Sequence, residues 1–206
     1  MKKKLLVLAL SFMSSGVFAE LVSQDFLTVG DGLITYDTVS GLYWLDLSYT
    51  STGPNKNPEH SYNAIKAKTQ DVNSELFGFR HATYTEVQTL YTNAGMGLTG
   101  KYTPTIKAEA DQYLAKTGVT VSYSTTHNAQ FGYLATTCQN TPVPTDFCKH
   151  TAYDHYHLIA AVFSRSTGAA TVIPQKISDV SDSIDMNTGH YLVINYDPRI
   201  WQLDPQ

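Results

Sequence analysis

Residues 33–47 read LITYDTVSGLYWLDL. Ile34 and Tyr36 alternate with polar Thr35, which is the period of a half-buried strand. Asp37-Thr38-Val39-Ser40-Gly41 then supplies turn chemistry: a side chain that caps its own backbone and a residue free to take positive φ. Residues 42–47 run on as a second strand with Trp44 on its inner face. The stretch therefore predicts a hairpin, and its second strand carries the largest side chain available to a core.

Working outward, residues 77–95 read FGFRHATYTEVQTLYTNAG. Thr83 and Glu86 have the spacing of a capping box, each side chain satisfying a backbone N–H of the other. Val87, Leu90, Tyr91 and Ala94 form one helical stripe, and Gly95 stands where a left-handed residue ends a helix. Arg80 precedes that helix, and its planar fork is expected to pair with Asp46 or with backbone carbonyls. Ser61 is expected to cap an earlier helix whose inward positions are Tyr62, Ile65, Val72 and Leu76. Thr103 and Pro104 open a third, running to Thr117 with Ile106, Ala110, Tyr113 and Leu114 inward, and Gly118 stops it. Beyond it the period becomes two. Val119, Val121 and Tyr123 alternate, residues 155–163 and 169–173 make a hairpin around Ser166-Thr167-Gly168, and residues 191–196 form a last strand. Helices early and strands late predict α+β with an antiparallel or mixed sheet, two to three helices and long variable loops.

At the start, Lys2, Lys3 and Lys4 precede a short apolar run, and Val17-Phe18-Ala19 has the small residues of a cleavage site. Residues 1–19 are expected to be a signal peptide and residues 20–206 one domain, exported to the periplasm or the exterior. Without residues 1–19 the chain has 187 of its 206 residues; Lys+Arg falls from 14 to 11 against 18 Asp+Glu, a net charge of −7. Such a balance, with no basic run, argues against nucleic acid as a partner. No later segment has the apolar length of a membrane span. Cys138 and Cys148 flank the polar, proline-containing QNTPVPTDF, and export favours a disulfide between them.

The strings DTVSGLYWLD at 37–46, SYN at 61–63, GFRHATYTEVQTL at 78–90 and GHYLV at 189–193 resemble a pattern of secreted bacterial proteins. It is similar to the domain that caps a bacterial collagen-like adhesin, also found in exported proteins sorted by a PEP-CTERM tail. The resemblance implies a C-type-lectin-like fold; by their own chemistry Asp37, Gly41, Trp44, Asp46, Arg80, Thr83 and Glu86 read as structural residues of it. It also implies ligand binding in the variable region, here residues 96–185. Phe79 stands where the pattern more often has Trp, which keeps an aromatic plug. The chain closes on Asp204-Pro205-Gln206 in place of the sorting tail, so a free rather than anchored protein is expected.

Two ligand sets lie in the variable region. His150, Asp154, His155 and His157 have the residue types of a zinc site, with His155 and His157 on one face if extended. Asp179, Asp182 and Asp185, with Asn187, offer the oxygen ligands that suit calcium, without EF-hand spacing. Solvated surface side chains are the ordinary explanation of both sets. G-x-S-x-G, H-E-x-x-H and a phosphate loop are absent. Glu59, Glu75, Glu86 and Glu109 do not single out a glycosidase pair. The sequence thus predicts a non-enzymatic binding module for an extracellular glycan, polymer or protein. The alternatives are a secreted metal-dependent enzyme built on His150, His155 and His157, or a periplasmic structural or partner-binding protein.

Overall fold

The computed structural model describes residues 20–51, 58–96, 104–124, 127–137, 156–164, 169–176 and 187–199. The fold is mixed α+β, with strands in two sheets. The first has the order β1 (Leu21–Gln24), β2 (Ile34–Asp37), β3 (Leu42–Leu45), β10 (Leu192–Ile194) and β4 (Arg80–His81). All its pairings are antiparallel, with Thr35 opposite Trp44 and Trp44 opposite Val193. The second runs β5 (Val121–Ser124), β6 (His127–Thr137), β7 (Tyr156–Ser164) and β8 (Ala169–Lys176), antiparallel throughout, with β9 (Gly189–His190) parallel to β6. A single sheet was the simpler expectation. The predicted last strand, residues 191–196, is observed as Leu192–Ile194, and a further strand, Gly189–His190, precedes it in the other sheet. Between them Tyr191 donates its N–H to the Tyr133 carbonyl (3.1 Å) and accepts from the Ala82 N–H (2.7 Å) at its carbonyl. The chain thereby passes from one sheet to the other within a single residue.

Three helices cover these sheets: α1 (Tyr62–Lys68), α2 (Tyr84–Asn93) and α3 (Pro104–Thr117). Strand alternation gives the first sheet two buried faces. Trp44 and Val193 point to one side, into a core with Val87, Leu90 and Tyr91 of α2 and Ala110, Tyr113 and Leu114 of α3. Ile34, Leu45, Leu192 and Ile194 point to the other, against Ile65 of α1, Leu76, Phe26 and Phe79. Each aliphatic side chain removed from water this way contributes about 1.5–3 kcal/mol. Trp44 and the Thr83-capped helix share one interior, as the sequence predicts.

The first helix corrects the prediction. It ends at Thr69 rather than reaching Val72 and Leu76, because Asp71 caps the Asn73 N–H (2.9 Å) in a tight turn that leaves the helical path. Val72 is 72% exposed, whereas Leu76 is still buried, delivered by the turn and not by helical spacing. Ser61 caps α1 as expected, accepting from the Ala64 N–H (3.3 Å). Thr103, proposed as the cap of α3, lies outside the described residues.

The C-terminal end of α3 is sealed by distant residues. The Leu47 N–H donates to the Thr117 carbonyl (2.9 Å), and Gln130 Nε2 donates to Thr117 O (2.9 Å) and Gly118 O (2.6 Å). Carbonyls that a helix end leaves without partners are satisfied here inside the core. Gly118 follows with φ +89°, and the Asp46 carboxylate occupies the space a Cβ would need.

Candidate functional site

The signature residues build the frame. Asp37 Oδ1 accepts from the Val39 N–H (3.0 Å), and Oδ2 accepts from Ser40 Oγ and from Asn93 Nδ2 (2.7 Å each). One buried carboxylate thus closes the hairpin turn and ties it to the end of α2, while Gly41 completes the turn at φ +71°. Asp46 accepts from the N–H (2.7 Å) and hydroxyl (2.6 Å) of Ser48. Its burial raises the carboxyl pKa above the ordinary value against those two bonds.

Arg80 does not meet Asp46. It forms a bidentate pair with Glu86, Nη1 to Oε2 at 2.9 Å and Nη2 to Oε1 at 2.5 Å. Glu86 Oε2 also accepts from the Thr83 N–H (2.8 Å), closing the capping box with the Glu86 N–H to Thr83 Oγ1 bond (3.3 Å). The box aims the carboxylate at the β4–α2 corner, and this makes Glu86 the acid within Arg80's reach. Desolvation pushes Glu86 up, but Arg80 and Thr83 together bring its pKa below the ordinary value.

Two histidines that the sequence reading passed over lie behind this corner. His81 and His190 are buried, with His81 Nε2 2.8 Å from His190 Nδ1 and His190 Nε2 2.9 Å from the His60 carbonyl. A carbonyl only accepts, so His190 Nε2 carries a proton; with both rings neutral, its Nδ1 is then the acceptor and His81 Nε2 the donor. Tyr62 stacks on His81, ring centroids 4.3 Å apart and planes 26° apart. The available signal was a histidine inside each of two apolar signature strings, FGFRHA and GHYLV.

Two open clefts flank the segment from α1 to β4. The larger, about 550 Å³, is walled by Phe26, Phe77 and Phe79 with Leu27 and Val72, and rimmed by Asn73, Ser74 and Glu75. Asp31 shapes its wall, accepting from the N–H groups of Phe26 (2.9 Å), Leu27 (2.8 Å), Thr28 (2.8 Å) and Leu33 (3.1 Å). Partial desolvation opposes these four donors, which nevertheless lower the Asp31 pKa to about 2. The rim residue Glu75 accepts at Oε1 from the Tyr49 hydroxyl (3.2 Å); burial, with the Glu75 charge second, pushes that phenol up to about 12. The other cleft, about 480 Å³, lies between α1 and β4 beside the histidine pair.

Among the described residues no three His, Cys, Asp or Glu side chains gather as metal ligands. Of the proposed zinc set, His150, Asp154 and His155 lie outside the described residues, and His157 is placed only as a backbone position of β7, opposite Gln175. Asp179, Asp182 and Asp185 of the calcium set lie outside them, as do Cys138, Cys148 and residues 1–19. Among the described residues no helix is long and apolar enough to cross a membrane. Comparison with protein-family models, with curated proteins and with solved structures finds no match.

Proposed function

We propose that the chain is an exported, non-enzymatic, C-type-lectin-like binding module for an extracellular glycan, polymer or protein, with a glycan as the preferred ligand. The observation that carries this reading is the phenylalanine-walled cleft. Its volume of about 550 Å³ suits a small ligand, and it combines apolar walls with a rim of amide, hydroxyl and carboxylate. A sugar ring presents the complement: an apolar C–H face and a perimeter of hydroxyls. Glu75 accepts from hydroxyls, whereas Asn73 both donates and accepts. Residues 96–185, where the family resemblance directs attention, would extend the surface.

The test is a glycan array on the purified chain, with and without calcium, repeated with Asn73→Ala and Glu75→Ala. Binding to defined glycans that each substitution weakens is the expected result. Silence across the array, or binding that neither substitution changes, would remove this cleft as the glycan site and favour a protein partner.

A further inference from the structure

We propose that the second cleft, between α1 and β4, binds an oxyanion, the carboxylate or sulfate of an acidic saccharide. The saccharide part rests on the glycan reading above; the anion part stands on charge and geometry alone. The cleft is lined by Lys66 and Arg80 with Tyr62, Thr69, Gln70 and Thr83; no carboxylate is among its described lining residues, and Glu86, outside the lining, pairs with Arg80. With Glu86 counted against Arg80, Lys66 still leaves one positive charge here, in a chain with 18 acidic against 14 basic side chains.

The two cations are placed differently. Lys66 is exposed on α1 and makes no ion pair among the described residues, so its ammonium is available to a ligand. Arg80 is fixed. Glu86 holds both Nη atoms, and the pair orients the guanidinium while its Nε–H is left without a hydrogen bond to any described group. A donor held by a bidentate pair loses little freedom on meeting an anion, which is the condition for a strong charge-assisted contact. Between them the Tyr62 ring lies flat on His81, giving the cleft a rigid aromatic wall. Tyr62 is a neutral phenol whose pKa burial raises further, so this wall does not repel an anion. At about 480 Å³ the cleft admits a monosaccharide and not merely an ion.

The experiment is calorimetric titration of the full chain with glucuronate, glucose and sulfate at fixed ionic strength, alongside Lys66→Glu and Asn73→Ala. Ring signals of His81 are followed by NMR to place the ligand. Glucuronate should bind, shift those signals, lose about tenfold in affinity on Lys66→Glu, and be unchanged by Asn73→Ala in the other cleft. Glucose should bind at least about tenfold more weakly than glucuronate. Sulfate binding as tightly as glucuronate would uphold the oxyanion site and dismiss the sugar. Glucose matching glucuronate, indifference to Lys66→Glu, or unmoved His81 signals would overturn the proposal. Loss on Asn73→Ala in place of Lys66→Glu would assign the ligand to the first cleft and refute it equally.

Discussion

Raising the pH should unfold this protein through its tyrosines. Tyr91, Tyr113 and Tyr191 are fully buried and meet at their hydroxyls, Tyr91 to Tyr191 at 2.8 Å and Tyr113 to Tyr191 at 3.4 Å. Tyr191 in turn donates a hydrogen bond to Gln130 Oε1 at 2.6 Å. Burial, the largest cause for each, raises all three phenols above the ordinary value, Tyr91 and Tyr191 well above it. The folded pKa values therefore exceed the unfolded value of about 10. Stability from these groups is fully present below pH ~10 and is lost as the pH rises toward the folded values. Above pH ~10 the unfolded chain releases three protons that the native chain retains. At about 1.4 kcal/mol per pH unit for each, stability falls by about 4 kcal/mol per unit. A domain stable by about 5–15 kcal/mol would then unfold within roughly one to four units. Tyrosinate absorbance and far-ultraviolet circular dichroism, followed together, should show the buried phenols ionising only as secondary structure collapses. Reversible ionisation of all 14 tyrosines near pH 10, with the dichroism intact, would refute the burial argument.

Gly118→Ala should cost more than Gly41→Ala. Both have positive φ, worth about 1 kcal/mol, but at Gly118 the new methyl also meets the Asp46 carboxylate, whereas at Gly41 it meets open space. Denaturant midpoints decide this, and equal losses would count against the close packing of Asp46. A double-mutant cycle on Arg80→Ala and Glu86→Ala should give a coupling of only about 0.5–1 kcal/mol, because the Arg80 side chain is 47% exposed and solvent screens the pair. Glu86→Ala alone should cost about 1–2 kcal/mol through the lost cap, and a coupling much larger than its single-site loss would mean the pair outweighs the box. Asp31, held at about 2, contributes stability that is present above pH ~4 and lost as the pH falls through about 2. Asp31→Asn should abolish that acid response; a low-pH transition of unchanged size in the variant would show that other carboxylates cause it.

What the sequence discloses is what local chemistry determines. The Thr83–Glu86 box and the Asp37–Gly41 turn are set by neighbours in the chain, and each forms as read; Gly118 stops α3 as read, although the partners that seal that end are distant. Arg80 is the instructive failure. Asp46 and Glu86 are equivalent as sequence, and only the box, by turning Glu86 back toward β4, decides between them. Val72 fits the helical stripe, but Asp71 offers the backbone a competing turn, and a stripe cannot register that competition. The histidine pair was less accessible still. His81 and His190 are brought together because β10 pairs with β4 and β9 with β6, a consequence of the crossing at Tyr191 that periodicity does not encode. Both clefts likewise bring together segments distant in sequence, residues 26–27 with 72–79 and Pro198 in one, α1 with β4 and Ala135 in the other.

That crossing also bears on how the two clefts should behave. Tyr191 binds Tyr133 of β6 through its N–H and Ala82 through its carbonyl, and the Ala82 carbonyl accepts in turn from the Ala135 N–H (2.9 Å). Its side chain sits at the centre of the tyrosine network. Any movement of β4 against β6 must therefore break backbone bonds and a buried polar cluster together, each buried group left without a partner costing about 1–3 kcal/mol. The cleft bounded by α1, β4 and Ala135 is consequently a preformed site, and a ligand there gains from its rigidity. The phenylalanine-walled cleft has a different support, since its Phe26–Leu27 wall is a loop pinned chiefly by one carboxylate, Asp31. Asp31→Asn should weaken a ligand in that cleft and leave glucuronate binding beside Lys66 untouched, because no part of the Tyr191 weld passes through the loop.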